Sequence, residues 1–313
     1  MHEINSFTLH YPVFAENLRD VPQTLLSFIE LRFAKLATNE LYQWIENGRV
    51  QIDSEAAHPA QLLKAGQQVS ISLPGHIEEA VDTSWRTVWE NEEIMAVYKP
   101  HNLPVSRTTR NLHNTLIQLI RRQTPYLNAH LLHRLDTETA GLILLAKNKA
   151  ADKKWKPRLT QLIQRKVYQA RVYGDPEWEQ QLMECELSER EHSAIRCQMH
   201  VVEADQPEQY RKPQQSKTAF RVLQRYGDQT LIECELFTGR KHQIRAHLAH
   251  LGHPIIGDKI YAHDGHYYLK RLNGPLGEAD IRDLGGDHQQ LVAVELVLQP
   301  EPDAAPIQIS LNR

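Results

Sequence analysis

Three cysteines in 313 residues, Cys185, Cys197 and Cys234, are too few and too scattered for a disulfide framework or a metal knot. Their odd number and their lack of metal-ligand spacing fit a reducing, cytoplasmic setting. Long apolar runs are missing too: no stretch approaches the about 18 residues that a membrane span needs. The first twenty residues carry acids and break their apolar runs early, unlike a secretory leader. There is no internal repeat and no low-complexity tract. Nor is there a surplus of one charge, the formal net charge being −3. What remains is an ordinary globular composition, 41% hydrophobic and 24% charged, at a length that suggests one large or two unequal domains. A monomer is the default expectation.

The small net charge hides a segregation. Residues 99–172 hold fifteen Lys and Arg against Asp136, Glu138 and Asp152, a net of +12, so the rest of the chain carries −15. Such an imbalance can focus positive potential on a phosphate backbone, or it can be a solvated basic face opposite an acidic one.

Helical spacing of Leu25, Ile29 and Leu36, then of Leu41, Trp44 and Ile45, predicts two helices over residues 24–31 and 39–46. Asn47-Gly48 stops the second, and residues 50–52 and 68–73 read as strands. A polar, acidic link over residues 76–84 follows. Strands are then predicted at 85–90, 94–98 and 167–172, with short helices at 115–122 and 159–164. The unbroken apolar run 142–146 should be a buried central strand. Residues 175–209, with ten acids, read as an exposed hairpin or excursion, a solvated surface segment. Strands at 217–223 and 229–236, a basic helix at 241–251 and a last strand at 291–298 complete the pattern.

The densest chemical signal is His133-Arg134-Leu135-Asp136-Thr137-Glu138-Thr139-Ala140-Gly141, directly before the run 142–146. It sets a carboxylate on a polar turn that feeds a rigid strand, a good mount for a reacting group. Taken alone, Asp136 reads more readily as a turn or cap residue, Tyr168 as a packed strand tyrosine and Arg245 as a surface helix arginine.

That block resembles the signature of the RluA-type pseudouridine synthase family. Three more blocks agree in order: Tyr98-Lys99-Pro100 through Val105; Lys166-Val167-Tyr168-Gln169-Ala170; and Thr238-Gly239-Arg240-Lys241-His242-Gln243-Ile244-Arg245, running on to Gly257-Asp258. The resemblance implies an α+β pseudouridine synthase fold, with a mixed, mostly antiparallel sheet, flanking helices and a central cleft over residues 85–313. It implies isomerisation of uridine in structured ribosomal or transfer RNA, without a cofactor. Asp136 takes the place of the family's nucleophile and Arg245 that of the arginine paired with it. Tyr168 matches the tyrosine that lies against the target base. Arg134 matches the residue that displaces the everted nucleotide, and Ile244 the apolar wall beside the base. His133, Lys99, Arg107, Lys166, Arg240 and His242 are expected to face the RNA, from their places in or beside these blocks. Residues 1–75 resemble the alpha-L (S-four-type) RNA-binding fold in the segments 40–54 and 62–74, although Val21-Pro22-Gln23 replaces the usual basic opening.

The chain departs from the family at four points. Ala140 stands for a usual serine and Lys241 for a common threonine. Gln290-Leu291-Val292-Ala293 replaces leucine–histidine–alanine, and Leu298-Gln299-Pro300 a histidine–proline ending. The spacing of His242, His247, His250 and His253 invites a metal reading, but no carboxylate cluster accompanies it, so packing or phosphate contact is the better one. Two other functions compete: an RNA-binding ribosome-assembly factor that has lost the chemistry, and a nucleoside hydrolase with Glu138 as second carboxylate.

Overall fold

The computed structural model of the chain describes residues 6–13, 23–34, 36–74, 78–108, 110–301 and 303–311. The opening acids, Val21-Pro22, Lys35 and residues 75–77 of the region around the link lie outside them. The chain divides into two compact units, Met1–Ala80 and Val81–Arg313.

In the first unit, strand β1 (Ser6–Pro12) precedes helices α1 (Leu25–Glu30) and α2 (Thr38–Glu46) and strands β2 (Val50–Ile52), β3 (Glu55–Ala56) and β4 (Gln68–Pro74). Thr24 caps α1 by accepting the Ser27 N–H at 3.2 Å. The apolar faces bury Leu25, Phe28 and Ile29 on α1 and Leu41, Trp44 and Ile45 on α2. The sheet order is β1-β4-β2-β3, all antiparallel. Strand β1 was not foreseen. Two of the unit's few basic residues are used internally: Arg32 and Arg49 lie over the Phe28 and Trp44 rings at 3.4 and 4.2 Å.

The second unit is built from strands β5 (Arg86–Glu90), β6 (Ile94–Lys99), β7 (His130–Leu131), β8 (Ala140–Ala146), β9 (Ile163–Tyr173), β10 (Gln180–Glu189), β11 (Met199–Val201), β12 (Gln214–Arg225), β13 (Gln229–Leu236), β14 (Leu291–Leu298) and β15 (Ile307–Ser310). Its helices are α3 (Leu116–Gln123), α4 (Lys149–Trp155), α5 (Leu159–Leu162), α6 (Gln243–His250), α7 (His266–Arg271) and α8 (Glu278–Asp283). The main sheet runs β11-β10-β12-β13-β9-β14-β8-β6-β5, with β7 on β8 and β15 on β14. It is the mixed, mostly antiparallel α+β fold expected; β14 and β8 form its parallel pair.

Every residue of β8 is buried, because both faces of the strand are covered. Ile143 and Leu145 join the core under α3 and α6, while Leu142, Leu144 and Ala146 join the core with Trp155 and Leu162. The parallel pair meets at Gly141, opposite Ala293. Gly141 has φ +109°, and a Cβ there would stand 2.2 Å from the Ala293 carbonyl oxygen. Gly141→Ala should therefore cost about 3 kcal/mol or more, the sum of left-handed strain and overlap with fixed backbone. Gly252, at φ +84° with nothing within 4 Å of its would-be Cβ, supplies the control. Its Ala variant should lose only about 1–2 kcal/mol, and equal losses in urea titrations would refute the overlap argument.

Two expectations need correction. Residues 175–209 do form a hairpin, β10 with β11, but not a solvated one: β10 also pairs with β12, and Leu187, Ile195 and Met199 are buried beside Ala246, Ile260 and Tyr261. Acids alternate with apolar residues there, so one face of the strand is solvated and the other packed. The helix expected at 159–164 is a single turn, since Ile163 already begins β9.

Candidate active site

The turn before β8 is fastened on three sides. The Thr139 N–H donates to the Asp136 carbonyl at 3.1 Å. His133 Nε2 accepts the Leu144 N–H at 3.0 Å, which puts the imidazole proton on Nδ1. Lys99 donates from Nζ to the carbonyls of Pro100, Leu103 and Thr137 at 2.8, 2.9 and 2.9 Å. Lys99 and His133 were expected to face RNA. Lys99 is instead fully buried, an ammonium spent on three carbonyls; His133 is half-buried at the cleft wall and also accepts a bond from the strand. Both hold the loop that carries Asp136.

Helix α6 brings the opposing charge. His242 precedes it at φ +55°, and Arg245 lies on its first full turn. Arg245 Nη1 donates to Asp136 Oδ2 at 2.6 Å. Its Nε and Nη2 grip the two oxygens of Asp258 at 2.6 and 2.9 Å. Asp258 is fully buried and also accepts the N–H groups of Ile260 and Tyr261. One guanidinium thus spans two carboxylates: the buried one fixes its plane, and the other, a third exposed, opens to the cleft.

The cleft has a volume of about 1010 Å³, and Asp136, Tyr168, Arg134, Arg107, Lys166 and Arg240 are among its walls. A recess of about 70 Å³ adjoins Asp136, lined by Tyr168, Leu236, Ile244 and Leu291. The Tyr168 hydroxyl has no hydrogen-bond partner among the described residues. His242 Nε2 stands 3.8 Å from Asp136 Oδ2, and its Nδ1 lies 3.1 Å from the Tyr261 hydroxyl. Of the eleven residues singled out from the sequence, all but Lys99 and Ile244 line the larger cleft, and Ile244 lines the recess.

The charge states follow from these contacts. Burial pushes the Asp136 carboxyl up, but Arg245 foremost, with His242 and Lys99, outweighs it and holds the group below its ordinary value. Burial raises Tyr168 above the usual phenol range, and the Asp136 charge adds to this. Burial, joined by the charge of Arg245, lowers His242 to about 4. His242 is therefore neutral at pH 7, and Arg245 is the cation that matters to Asp136. Burial also lowers Lys99 to about 7.

His133 and His247 are likewise lowered to about 4, chiefly by burial. A base whose folded pKa is depressed refuses the protons that the unfolded chain takes up. Stability should therefore fall as pH drops from about 6.5 towards 4, by a few kcal/mol over the three histidines together. Urea midpoints measured between pH 7 and 4.5 test this, and a flat profile would contradict it. His247→Phe should flatten the slope.

Some residues that shape the site acquire their part in it only from the fold. Asp258 stood in a recognised block, but its partner lies thirteen residues away on α6 and only folding joins them. Glu138 is held by Lys259 Nζ at 2.8 Å and by the Gln289 N–H at 3.3 Å. Two of the departures meet: Ala140 and Val292 are partners in the β8–β14 bridge, so two polar family positions have become one apolar contact. The +12 stretch does not act as a block. Glu90 neutralises Lys147, Glu93 Lys154, and Glu235 and Glu295 together Arg165. Among the described residues no group of three or more His, Cys, Asp and Glu is arranged to hold a metal ion, and no helix is long and apolar enough to cross a membrane.

A family model described as RNA pseudouridylate synthase matches residues 93–250. An uncharacterised RNA pseudouridine synthase of Synechocystis is 29% identical over 77% of the chain and 80% of its own length. A ribosomal large subunit pseudouridine synthase D of Nitrosomonas europaea is 31% identical over 71% of the chain and 64% of its own length. A tRNA pseudouridine(32) synthase of Saccharomyces cerevisiae mitochondria is 31% identical over 70% and 46%. Among solved structures, human RNA pseudouridylate synthase domain containing 1 superposes with a TM-score of 0.57 at 21% identity, over 76% of the chain and 86% of its own length.

Proposed function

The chain belongs to the RNA pseudouridylate synthase family, and on that premise we propose that it isomerises specific uridines of ribosomal or transfer RNA with Asp136 as the nucleophile. The reaction breaks the bond from ribose to the base nitrogen, turns the uracil and rejoins it through carbon five. Attack on the sugar, attack on the base and assistance to a glycal intermediate all start from an ionised carboxylate against the nucleotide. The observation that carries the reading is the 2.6 Å contact of Arg245 with Asp136 beside the cleft, which keeps that carboxylate ionised and aimed.

Tyr168 offers its ring to the everted base. Its hydroxyl is protonated at neutral pH, so removing the proton from carbon five requires it to pass its own proton on. Ile244 and Leu236 complete an apolar wall. Arg134, exposed at the cleft, is placed to fill the gap left when the uridine leaves its stack, a move that costs a few kcal/mol. In the first unit, Arg32 and Arg49 are spent on packing, which favours a supporting role there over tight RNA binding.

The hydrolase alternative needs a second carboxylate free to act as acid. Glu138 is committed to Lys259 and Asp258 to Arg245, which weighs against it. An inactive assembly factor would have no need of an aimed, charge-paired Asp136. The test is RNA carrying tritium at uracil carbon five, incubated with the protein. Release of tritium to water with no free uracil is expected. Free uracil would favour hydrolysis, and no release from any cellular RNA would favour the assembly factor.

A further inference from the structure

The cations around the cleft are mostly accounted for. Arg245 serves Asp136 and Asp258, Lys259 serves Glu138, and Lys241 serves Glu189. Arg240 donates from Nε to the Gln215 carbonyl. Arg134 is exposed, so water meets its needs. Lys166 is different. It is half-buried, lines the cleft and makes no hydrogen bond or ion pair among the described residues. Burial lowers its pKa, and no carboxylate offsets this. A cation withdrawn from water without a partner is unfavourable unless a ligand brings the opposite charge.

A second observation concerns the space around it. Gly239 lies against Lys166: a Cβ at Gly239 would stand 3.4 Å from Nζ, and no other atom lies within 4 Å of that point. No left-handed conformation accounts for this glycine, so its service is to leave one flank of the ammonium open. A third observation is the register. Lys166 and Tyr168 are two residues apart on β9, and both line the cleft. Side chains at that spacing share a strand face at about 6.6 Å, about the span from a nucleotide's base to its adjoining phosphate.

We propose that Lys166 Nζ, with its flank opened by Gly239, is the seat of a phosphodiester of the everted nucleotide, the phosphate adjoining the uridine whose base lies on Tyr168. This rests on the reading that the cleft receives an everted uridine, and it names the part of the substrate that this corner takes. Lys166 then acts in binding and positioning and does not touch the reacting atoms.

The probe is an RNA stem-loop bearing a uridine mapped as a target by comparing cellular RNA made with and without this protein. Lys166→Gln should raise Kd and KM roughly tenfold to a hundredfold, with the single-turnover rate at saturating RNA changed by less than about threefold. The slope of log K against log salt should become shallower by about 0.7–0.9, the loss of one phosphate contact. Lys166→Arg, which keeps the charge, should recover most of the affinity, and Gly239→Ala should lose several-fold with the lysine intact. A methylphosphonate in place of that one phosphate should weaken wild type as much as Lys166→Gln does, and weaken the Lys166→Gln protein no further. An unchanged salt slope, or a methylphosphonate penalty equal in both proteins, would overturn the proposal. A wild-type protein that makes no pseudouridine would instead overturn the reading beneath it.

Discussion

Asp136→Asn is expected to lower pseudouridine formation by roughly four orders of magnitude or more, while RNA affinity changes little. Asparagine keeps the shape of the side chain and one oxygen for the Arg245 Nη1 contact, and the Thr139 N–H bonds the backbone carbonyl, which is untouched. What disappears is the negative charge and, with it, the proposed nucleophile. Because the Asp136 side chain is a third exposed and Arg245 keeps Asp258, folding should lose only the modest contribution of the Asp136 charge. Single-turnover assays with mapped target RNA, run beside binding titrations, separate the two effects. Pseudouridine made at the wild-type rate by Asp136→Asn would remove the nucleophile assignment.

The second large effect concerns the guanidinium that spans two carboxylates. Arg245→Met should destabilise the second unit by about 3–5 kcal/mol, because it strands the fully buried Asp258 carboxylate without its cation. Arg245→Lys keeps a charge but cannot grip Asp258 with two donors while reaching Asp136 with a third. Its stability loss should be smaller, yet its rate should fall about a hundredfold through misplacement of Asp136. The pH profile carries the sign. Arg245 offsets the burial that would raise Asp136, so weakening that contact lets the carboxyl pKa climb. The acid limb of the rate should then move to higher pH. Stability follows the same rule: a depressed carboxyl stabilises the fold above its unfolded value, and that contribution fades as pH falls through the folded one. An acid limb that stays in place in Arg245→Lys would show that something else sets the ionisation of Asp136.

The two arginine variants also bear on Asp258. Asp258→Asn leaves Arg245 buried with one anion and frees its plane to turn. If catalysis needs the fixed plane, Asp258→Asn and Arg245→Lys should lose rate to a similar extent and their double mutant little more, since residues of one network are not additive.

Much of the fold was legible because local periodicity reports it. The apolar faces of α1 and α2, the fully apolar β8 and the strand pair β12–β13 all write their burial into consecutive residues. Strand β1 does alternate, Phe7, Leu9 and Tyr11 with Ser6, Thr8 and His10, but the run is short and its pairing partner, β4, lies some sixty residues away. The stretch 175–209 misled because its acids suggested solvent on all sides, whereas a two-faced strand needs only every other residue apolar.

The sequence by itself determined the chemical parts: a carboxylate on a turn before a buried strand, a tyrosine on a second strand, an arginine on a basic helix. These are local patterns, readable wherever neighbouring residues decide the outcome. Only the tertiary structure decided how the parts are employed. It turned Lys99 inward to hold the loop, tied His133 to the Leu144 N–H at the cleft wall, gave Arg245 a second carboxylate in Asp258, committed Glu138 to Lys259 and left Lys166 facing the cleft without an anion. Such pairings join residues far apart in the chain, and the direction a side chain takes depends on which distant backbone or charge it meets when the sheet closes around it.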